Sequence, residues 1–586
     1  MSGTLPDIPA GTPPKPKPKP KPNPTRYNME TNQPADIILI NGKIITVDQD
    51  FSVTQAVAIS GNRIALAGSS DHIGKLSGDD TLMIDLKGKT VIPGIIEGHL
   101  HPETAAFSEM DEDIPHITDI GKLLEWIRDQ ASVKKRGEWI IHPKFFYTRM
   151  RELRQPTLAE LDAAAPHHLV FLDGTYGGMV NTRAMKHSSF AGAGHPGIAY
   201  DENGRPTGFL KASAFGLLNR PPVRQPAYKD KLHALRVLLQ KYNRYAITSL
   251  CSGWYDPETT RMYHDLRSSN SLTARIMQHV IFPAQSGVLS REMVLESLKE
   301  LGTVTGSGDE WIRTGALKVL LDGGILTGTA FLREPWGEKA YDLFGFKDPD
   351  YRGILNYRYE DLVPVVSAAN ELGWSFTAHC TGGGGVDLLL DVYEHVNKEI
   401  PVKERRFSII HGNFFTPESI VRMKELGIYA SMQPAWFYKD ADAMKYILGD
   451  ERIKNFHPYN SLVNAGVMVN GGSDHMVKLD ANTSINPYNP FLAIWTMVTR
   501  TTERGSVIMP AEAVTREDAL RMYTINNAYA SFEEASKGSI EPGKLADMAV
   551  LSEDILTCPV DRIKDIESEL TILDGKIVYS GGTIFN

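Results

Sequence analysis

Cysteine is nearly absent from this chain: three residues in 586, Cys251, Cys380 and Cys558, far apart and odd in number. No disulfide framework follows from them, and a reducing, cytoplasmic compartment is the simpler expectation. Long apolar runs are missing too, since nothing approaches the roughly 18 residues that a membrane helix needs. Positive charge is not in excess. A formal charge of −9 and a pI near 6.0 give no footing for nucleic-acid binding. What the chain does have is bulk: with 42% hydrophobic and 23% charged residues it can bury a large core.

The first 34 residues stand apart. Pro13 to Pro24, PPKPKPKPKPNP, alternates proline and lysine and reads as an extended, solvated, disordered tail. It lacks the apolar segment of a secretory signal. A linker is the simpler reading, with a docking motif for a proline-binding domain as the alternative. From Ala35 to about residue 91, short β-rich runs alternate with Asn-Gly, Gly-Asn and Lys-Gly-Lys turns, and the pattern returns from about residue 537 to 586. One small β-sandwich domain assembled from both ends of the chain is therefore expected.

Between these ends, from about 92 to 536, eight strand-like runs are separated by helical patterns. The runs are Ile92 to His101, Tyr245 to Ser252, Ala274 to Pro283, Gly315 to Gly323, Trp374 to Cys380, Phe407 to Gly412, Ile428 to Gln433 and Gly466 to Asp474. Four helical patterns lie among the later ones, and three of them stop at a glycine, Gly302, Gly373 or Gly427. Thr416-Pro417-Glu418 adds an N-cap with proline at the first helical position. A segment from about Pro102 to Asn243 interrupts the alternation after the first strand. It reads either as a lid over a pocket or as a packing element, and its Tyr147 and Tyr176, with Trp436 further on, are candidate substrate contacts.

The run TVIPGIIEGHLH places His99 and His101 two residues apart at a strand end, on one side of the strand, so both imidazoles can reach one metal ion. Lys318, His379 and His411 close further strand-like runs, and Asp474 adds a carboxylate. The spacings match whole strand-helix units: 32 residues from His379 to His411, 61 from Lys318 to His379, and 63 from His411 to Asp474. Ligands in such steps are what a barrel of parallel strands produces, because its site lies at the carboxyl ends of the strands. The expected fold is α/β, a (β/α)8 TIM-like barrel with the terminal β-sandwich and the long insertion.

These motifs, together with Gly472-Ser473-Asp474 and EPGKLADMAVL near the C-terminus, resemble the amidohydrolase superfamily. Finer segments resemble the N-substituted formamide deformylase-like branch, amidohydrolase family 3: RQPTLAELDAAAP at 154 to 166, MVNTRAM, NGRPTGFL and GALKVLLDGGILTGTA. The resemblance runs from about Ala35 to Asn586. It implies a divalent metal, with zinc expected, at one or two ions per chain, held by His99, His101, His379, His411 and Asp474. Lys318 matches a lysine that in several branches is carboxylated and bridges two ions; otherwise it would pair with a carboxylate such as Asp322. Asp474 would act as general base and then general acid in hydrolysis of a C–N bond.

The implied partner is a small-molecule substrate, a linear amide, N-substituted formamide or N-acyl compound. Cyclic amide hydrolysis, heterocycle deamination and a non-catalytic binding role are the alternatives, and a homodimer is left open. Three departures from the branch weaken the substrate inference: Cys380-Thr381 followed by Gly382 to Gly385 after His379, Lys211 where an acidic residue is expected, and Thr175 in DGTYGG. The glycine run is expected either to open the pocket, making Gly382 and Gly383 substrate contacts, or to form a tight turn. His475, beside Asp474, is a further candidate for substrate contact.

Overall fold

The computed structural model describes residues 34–582, except 111, 175–176, 189, 191–194, 196, 223–225, 283–289 and 347. The proline-rich tail and Tyr176 therefore lie outside the described residues. All eight strand-like runs contribute to one parallel sheet: β1 (Ile95–Leu100), β2 (Ile247–Ser252), β3 (Arg275–Ile281), β4 (Ile312–Leu320), β5 (Phe376–Cys380), β6 (Ser408–His411), β7 (Tyr429–Met432) and β8 (Val469–Gly471). They pair in strict chain order, β1 beside β2 through to β8. The two ends of the sheet meet through glycine. A Cβ on Gly98 of β1 would lie 2.6 Å from the Gly471 carbonyl oxygen of β8, and the Asp474 N–H donates to the His99 carbonyl at 2.7 Å. The sheet closes into a (β/α)8 TIM-like barrel.

Helices cover its outside as their caps dictate. Thr416 caps Pro417–Leu426 by accepting from the Ser419 N–H, and Gly427 ends that helix in the left-handed region at φ 68°. Leu235, Leu238 and Leu239 of Tyr228–Asn243 are fully buried in the barrel core, so that helix belongs to the barrel and the insertion ends before it. This corrects the boundary expected at Asn243.

The first run also needs correction. Ile92 to His101 is not one strand: Thr90–Pro93 pairs with Met548–Leu551 in the sandwich, and only from Ile95 does the chain join the barrel. The break falls at Gly94, where a Cβ would sit 2.1 Å from the Thr248 hydroxyl oxygen. The sandwich itself mixes both termini. One sheet runs Lys576–Ser580, Ser568–Leu573, Met548–Leu551, Thr90–Pro93, Lys43–Ile45, Val53–Thr54. The other uses Arg63–Gly68, Ala56–Ser60, Ile37–Ile40 and Leu82–Asp85. Arg275 at the start of β3 ties barrel to sandwich, reaching Asp547 at 2.7 Å and Asp574 at 2.9 Å while only 1% of its side chain is exposed.

The insertion carries a five-stranded sheet of its own, ordered Ile198–Tyr200, Pro206–Lys211, Gly177–Val180, Leu169–Asp173, Trp139–His142. Its apolar face shares a core with the segments that follow β4 and β7: Ile140, Leu161 and Leu172 cluster with Trp336, Phe344, Trp436 and Phe437. The insertion is thus packed onto the loops at the carboxyl ends of the strands. Among the described residues no helix is long and apolar enough to cross a membrane, and all three cysteines are unpaired and buried.

Candidate metal centre

Period two in β1 decides the first part of the site. Residues 97, 99 and 101 share a face, and that face points into the barrel. His99 is 1% exposed, while 18% of the His101 side chain reaches the mouth. Asp474, three residues past β8, meets them: its Oδ1 lies 3.3 Å from His101 Nε2 and 3.6 Å from His99 Nε2. Among the described residues, these three are the group whose donor atoms converge closely enough for one ion, all within 4.8 Å of one another. Asp474 Oδ1 is buried and has no hydrogen-bond donor. An acceptor-only oxygen facing two imidazole nitrogens is a donor set that fits a divalent cation.

The other expected residues close around this pair. Lys318 on β4 brings Nζ to 3.3 Å from His99 Nε2, and burial lowers its ammonium to about 8 against the attraction of Asp474. His411 lies with its ring centroid 5.6 Å from His99 and 4.6 Å from His379. Neighbours fix which nitrogens are free. His411 Nδ1 lies 2.6 Å from Gln433 Oε1, so it carries the proton and leaves Nε2 as the acceptor. His379 Nε2 lies 3.1 Å from the Gly323 carbonyl, so its free nitrogen is Nδ1. Burial, then Lys318, pushes His379 down to about 4 and holds His99 well below the usual imidazole range. Burial, then His379, does the same for His411. All three are neutral near pH 7, the form that can ligate.

Trp436 stacks on His411, with ring centroids 4.3 Å apart and planes 13° from parallel, and forms a wall of the site. Gly253, just after β2, allows the His pair its place: a Cβ there would lie 2.5 Å from His99 Cε1 and 2.7 Å from His101 Cε1.

Four other candidates sit elsewhere. Both ring nitrogens of His475 are engaged, Nδ1 by the Tyr242 hydroxyl at 2.8 Å and Nε2 by the Lys478 carbonyl at 2.6 Å, because side chains at consecutive positions diverge. Tyr147 is packed against Phe344 in the core beneath the insertion. Gly382 and Gly383 meet protein: their Cβ positions would fall 2.1 Å from the Phe331 carbonyl oxygen and 2.2 Å from Arg333 Nη1. Close approach of the 331–333 segment is the reason for glycine there. Asp322 does not pair with Lys318. It accepts from the N–H groups of Thr381, Gly382 and Phe331, and burial pushes it up to about 7.

Several residues around the centre were not singled out by sequence. Glu97 is buried, pushed up to about 8 by burial, and accepts the Ser473 N–H at 2.5 Å. Its period-two relation to His99 was the available signal. Gln433, at the end of the seventh run, had a weaker one. Asn486, which donates to Asp474, had none.

A closed barrel with histidines and a carboxylate converging at its strand ends defines a hydrolytic metal-site architecture. A profile of the amidohydrolase family matches residues 82–579, and the chain belongs to that family. It is 28% identical over 566 residues to the N-substituted formamide deformylase of Arthrobacter pascens, across 93% of this chain and 99% of that protein. It is 27% identical to protein LONG AFTER FAR-RED 3 of Arabidopsis thaliana, across 93% of this chain and 92% of that one. Among solved structures, an uncharacterized metal-dependent hydrolase from Pyrococcus horikoshii OT3 shares the fold, with a TM-score of 0.65 at 22% identity over 90% of this chain and 99% of that one.

Proposed function

We propose that this protein is a metal-dependent hydrolase that cleaves the C–N bond of a linear amide, N-substituted formamide or N-acyl compound. The convergence of His99, His101 and Asp474, with Lys318, His379 and His411 beside them, carries the reading. The name of the Arthrobacter relative, an N-substituted formamide deformylase, supports the substrate class. Histidine and carboxylate donors without a thiolate favour zinc, manganese, iron or cobalt, of which zinc is the ion proposed, and a divalent ion held here would supply Lewis acidity and a lowered pKa for its water.

The protein's own groups do the rest. Asp474 takes a proton from the attacking water as its oxygen bonds to the carbonyl carbon, then gives that proton to the leaving nitrogen as the C–N bond breaks. An acid and a free amine result. His99, His379 and His411 are neutral, and together with His101 they would hold the ion. Lys318, with its ammonium destabilised by burial, is the residue for a carbamate: its neutral amine would add to carbon dioxide, release one proton to solvent, and offer two oxygens sharing one negative charge that could hold a second ion.

The test uses zinc-loaded protein screened against formanilide, N-acetyl amino acids and cyclic amides, with product scored as amine or ammonia. Asp474→Asn is expected to lose at least about 10²-fold in turnover, the scale for a general acid-base group. His99→Ala is expected to lose metal. Turnover in Asp474→Asn equal to that of the parent protein would overturn the role of the carboxylate, and ammonia as the product would favour deamination.

A further inference from the structure

We infer that Asn486 and Arg149 are positioning residues for Asp474, so that the insertion fixes the geometry of the catalytic carboxylate. This rests on the reading of Asp474 as the group that moves the proton. Asp474 has φ 55°, in the left-handed region that a residue with a Cβ disfavours, and such a conformation persists only where its surroundings hold it. They hold it at several points. Its N–H donates to the His99 carbonyl at 2.7 Å, and the preceding N–H, of Ser473, donates to Glu97. Its carbonyl accepts from Asn486 Nδ2 at 2.7 Å, and the same nitrogen lies 3.4 Å from Oδ2. With Oδ2 engaged there, Oδ1 is the oxygen that faces His99 and His101.

The Asn486 amide is held in this orientation from both sides, by the two Asp474 oxygens and by Arg149. Arg149 Nη2 lies 3.2 Å from Asn486 Oδ1, and a guanidinium only donates, so the amide oxygen must face it and the NH2 must face Asp474. Arg149 is itself clamped. Asp440 takes its Nε at 2.7 Å and Nη2 at 2.9 Å, and Nη1 donates to the Ile485 carbonyl. The pair is buried, with 8% of the Arg149 side chain and none of the Asp440 side chain exposed. Arg149 lies in the insertion on the short turn Tyr147–Arg149, Asp440 on the helix Pro434–Arg452, and Asn486 in the loop beyond β8. Three separate segments thus determine one carboxylate.

Asn486→Asp separates positioning from packing. It keeps the acceptor for Arg149 and the shape of the side chain, but replaces the donor to Asp474 with an oxygen that repels its carbonyl and Oδ2. A role in packing or in holding Arg149 predicts an unaffected enzyme. Positioning predicts a loss in kcat of at least about tenfold, the scale for one hydrogen bond to a charged group, with KM, thermal midpoint and zinc content unchanged. Because Arg149→Ala would leave Asp440 buried without its partner, the second variant is Arg149→Met combined with Asp440→Leu, an apolar pair that keeps the fold. It leaves the Asn486 amide held from the Asp474 side only and should lower kcat in the same direction.

The assay is turnover of whichever amide the screen finds fastest, with zinc measured by elemental analysis on the same samples. Parental kcat in Asn486→Asp, or a loss that tracks lost zinc or lost fold, would overturn the inference. If Asp474→Asn is inactive while both other variants are unaffected, only the positioning network fails. If Asp474→Asn is active, the underlying reading of the carboxylate fails with it.

Discussion

Replacing Gly253 with alanine puts the proposed metal centre under the sharpest test. The added methyl would stand 2.5 Å from His99 Cε1 and 2.7 Å from His101 Cε1, where carbon atoms in contact stay about 3.5–4.0 Å apart. One or both imidazoles must therefore move by about 1 Å, while a metal–nitrogen bond tolerates about 0.2 Å. His99 has nowhere to go, being 1% exposed with Lys318 3.3 Å from its Nε2. Gly253 is not in the left-handed region, so the backbone itself accepts alanine. Overpacking of this kind costs about 1–3 kcal/mol of stability, which a barrel of this size absorbs. Zinc affinity should fall by at least about 10–100-fold, the scale on which displaced support residues act at metal sites. The assay is zinc titration of metal-free protein against a competing chelator, beside a thermal melt. Gly74→Ala is the control, since no atom lies within 4 Å of its Cβ position. Parental zinc affinity in Gly253→Ala would refute the assignment of the His pair as ligands.

Gln433→Leu removes the acceptor that holds the proton on His411 Nδ1 and should weaken zinc binding by about 10–100-fold, read by the same titration. Arg275→Ala leaves Asp547 buried without its cation and should lower stability by about 3–5 kcal/mol in denaturant melts, whereas activity of the folded fraction should not change. His142 sets a pH window. Burial pushes it down to about 4, and neither ring nitrogen has a hydrogen-bond partner. Between pH 6.5 and about 4 the unfolded chain binds a proton that the folded chain refuses, so folding stability should fall as pH drops through that window, by up to about 3 kcal/mol from this group. His142→Phe should flatten that part of the stability profile, and an unchanged slope between pH 6.5 and 4 would count against it.

The sequence alone determined the barrel and most of its candidate ligands, because both depend on local pattern. A parallel strand buried on both faces favours apolar residues, and most of β1 through β8 carry them in runs; a residue at the end of such a run lies at the mouth whatever happens elsewhere. His99 and His101 were legible for that reason, as were Lys318, His379, His411 and Asp474. Gly94 was not: a strand that leaves one sheet for another keeps its apolar character, and only the pairing of Thr90–Pro93 with Met548–Leu551 reveals the break. The glycine run left two readings open, a wider pocket or a tight turn, and only the folded chain chooses between them. At Gly382, Gly383 and Gly384 the space is filled by the 331–333 segment some 50 residues earlier, and at Gly385 by Cys380 and Asp322.

Tertiary structure decided what surrounds the candidate ligands. Gln433 selects the tautomer of His411, Gly253 makes room for two rings, and Arg149 turns the amide of Asn486 from 337 residues away. No periodicity links such positions, since their meeting depends on how the insertion and the strand-end loops pack over the barrel. The positive φ of His411, 75°, and of Asp474, 55°, belongs to the same class, because Asp and His tolerate the left-handed region in many places and only their surroundings decide where they enter it. Chemistry that sits at the ends of regular strands can be read from the strands themselves. The groups that aim it come from other parts of the chain, and only the folded chain brings them together.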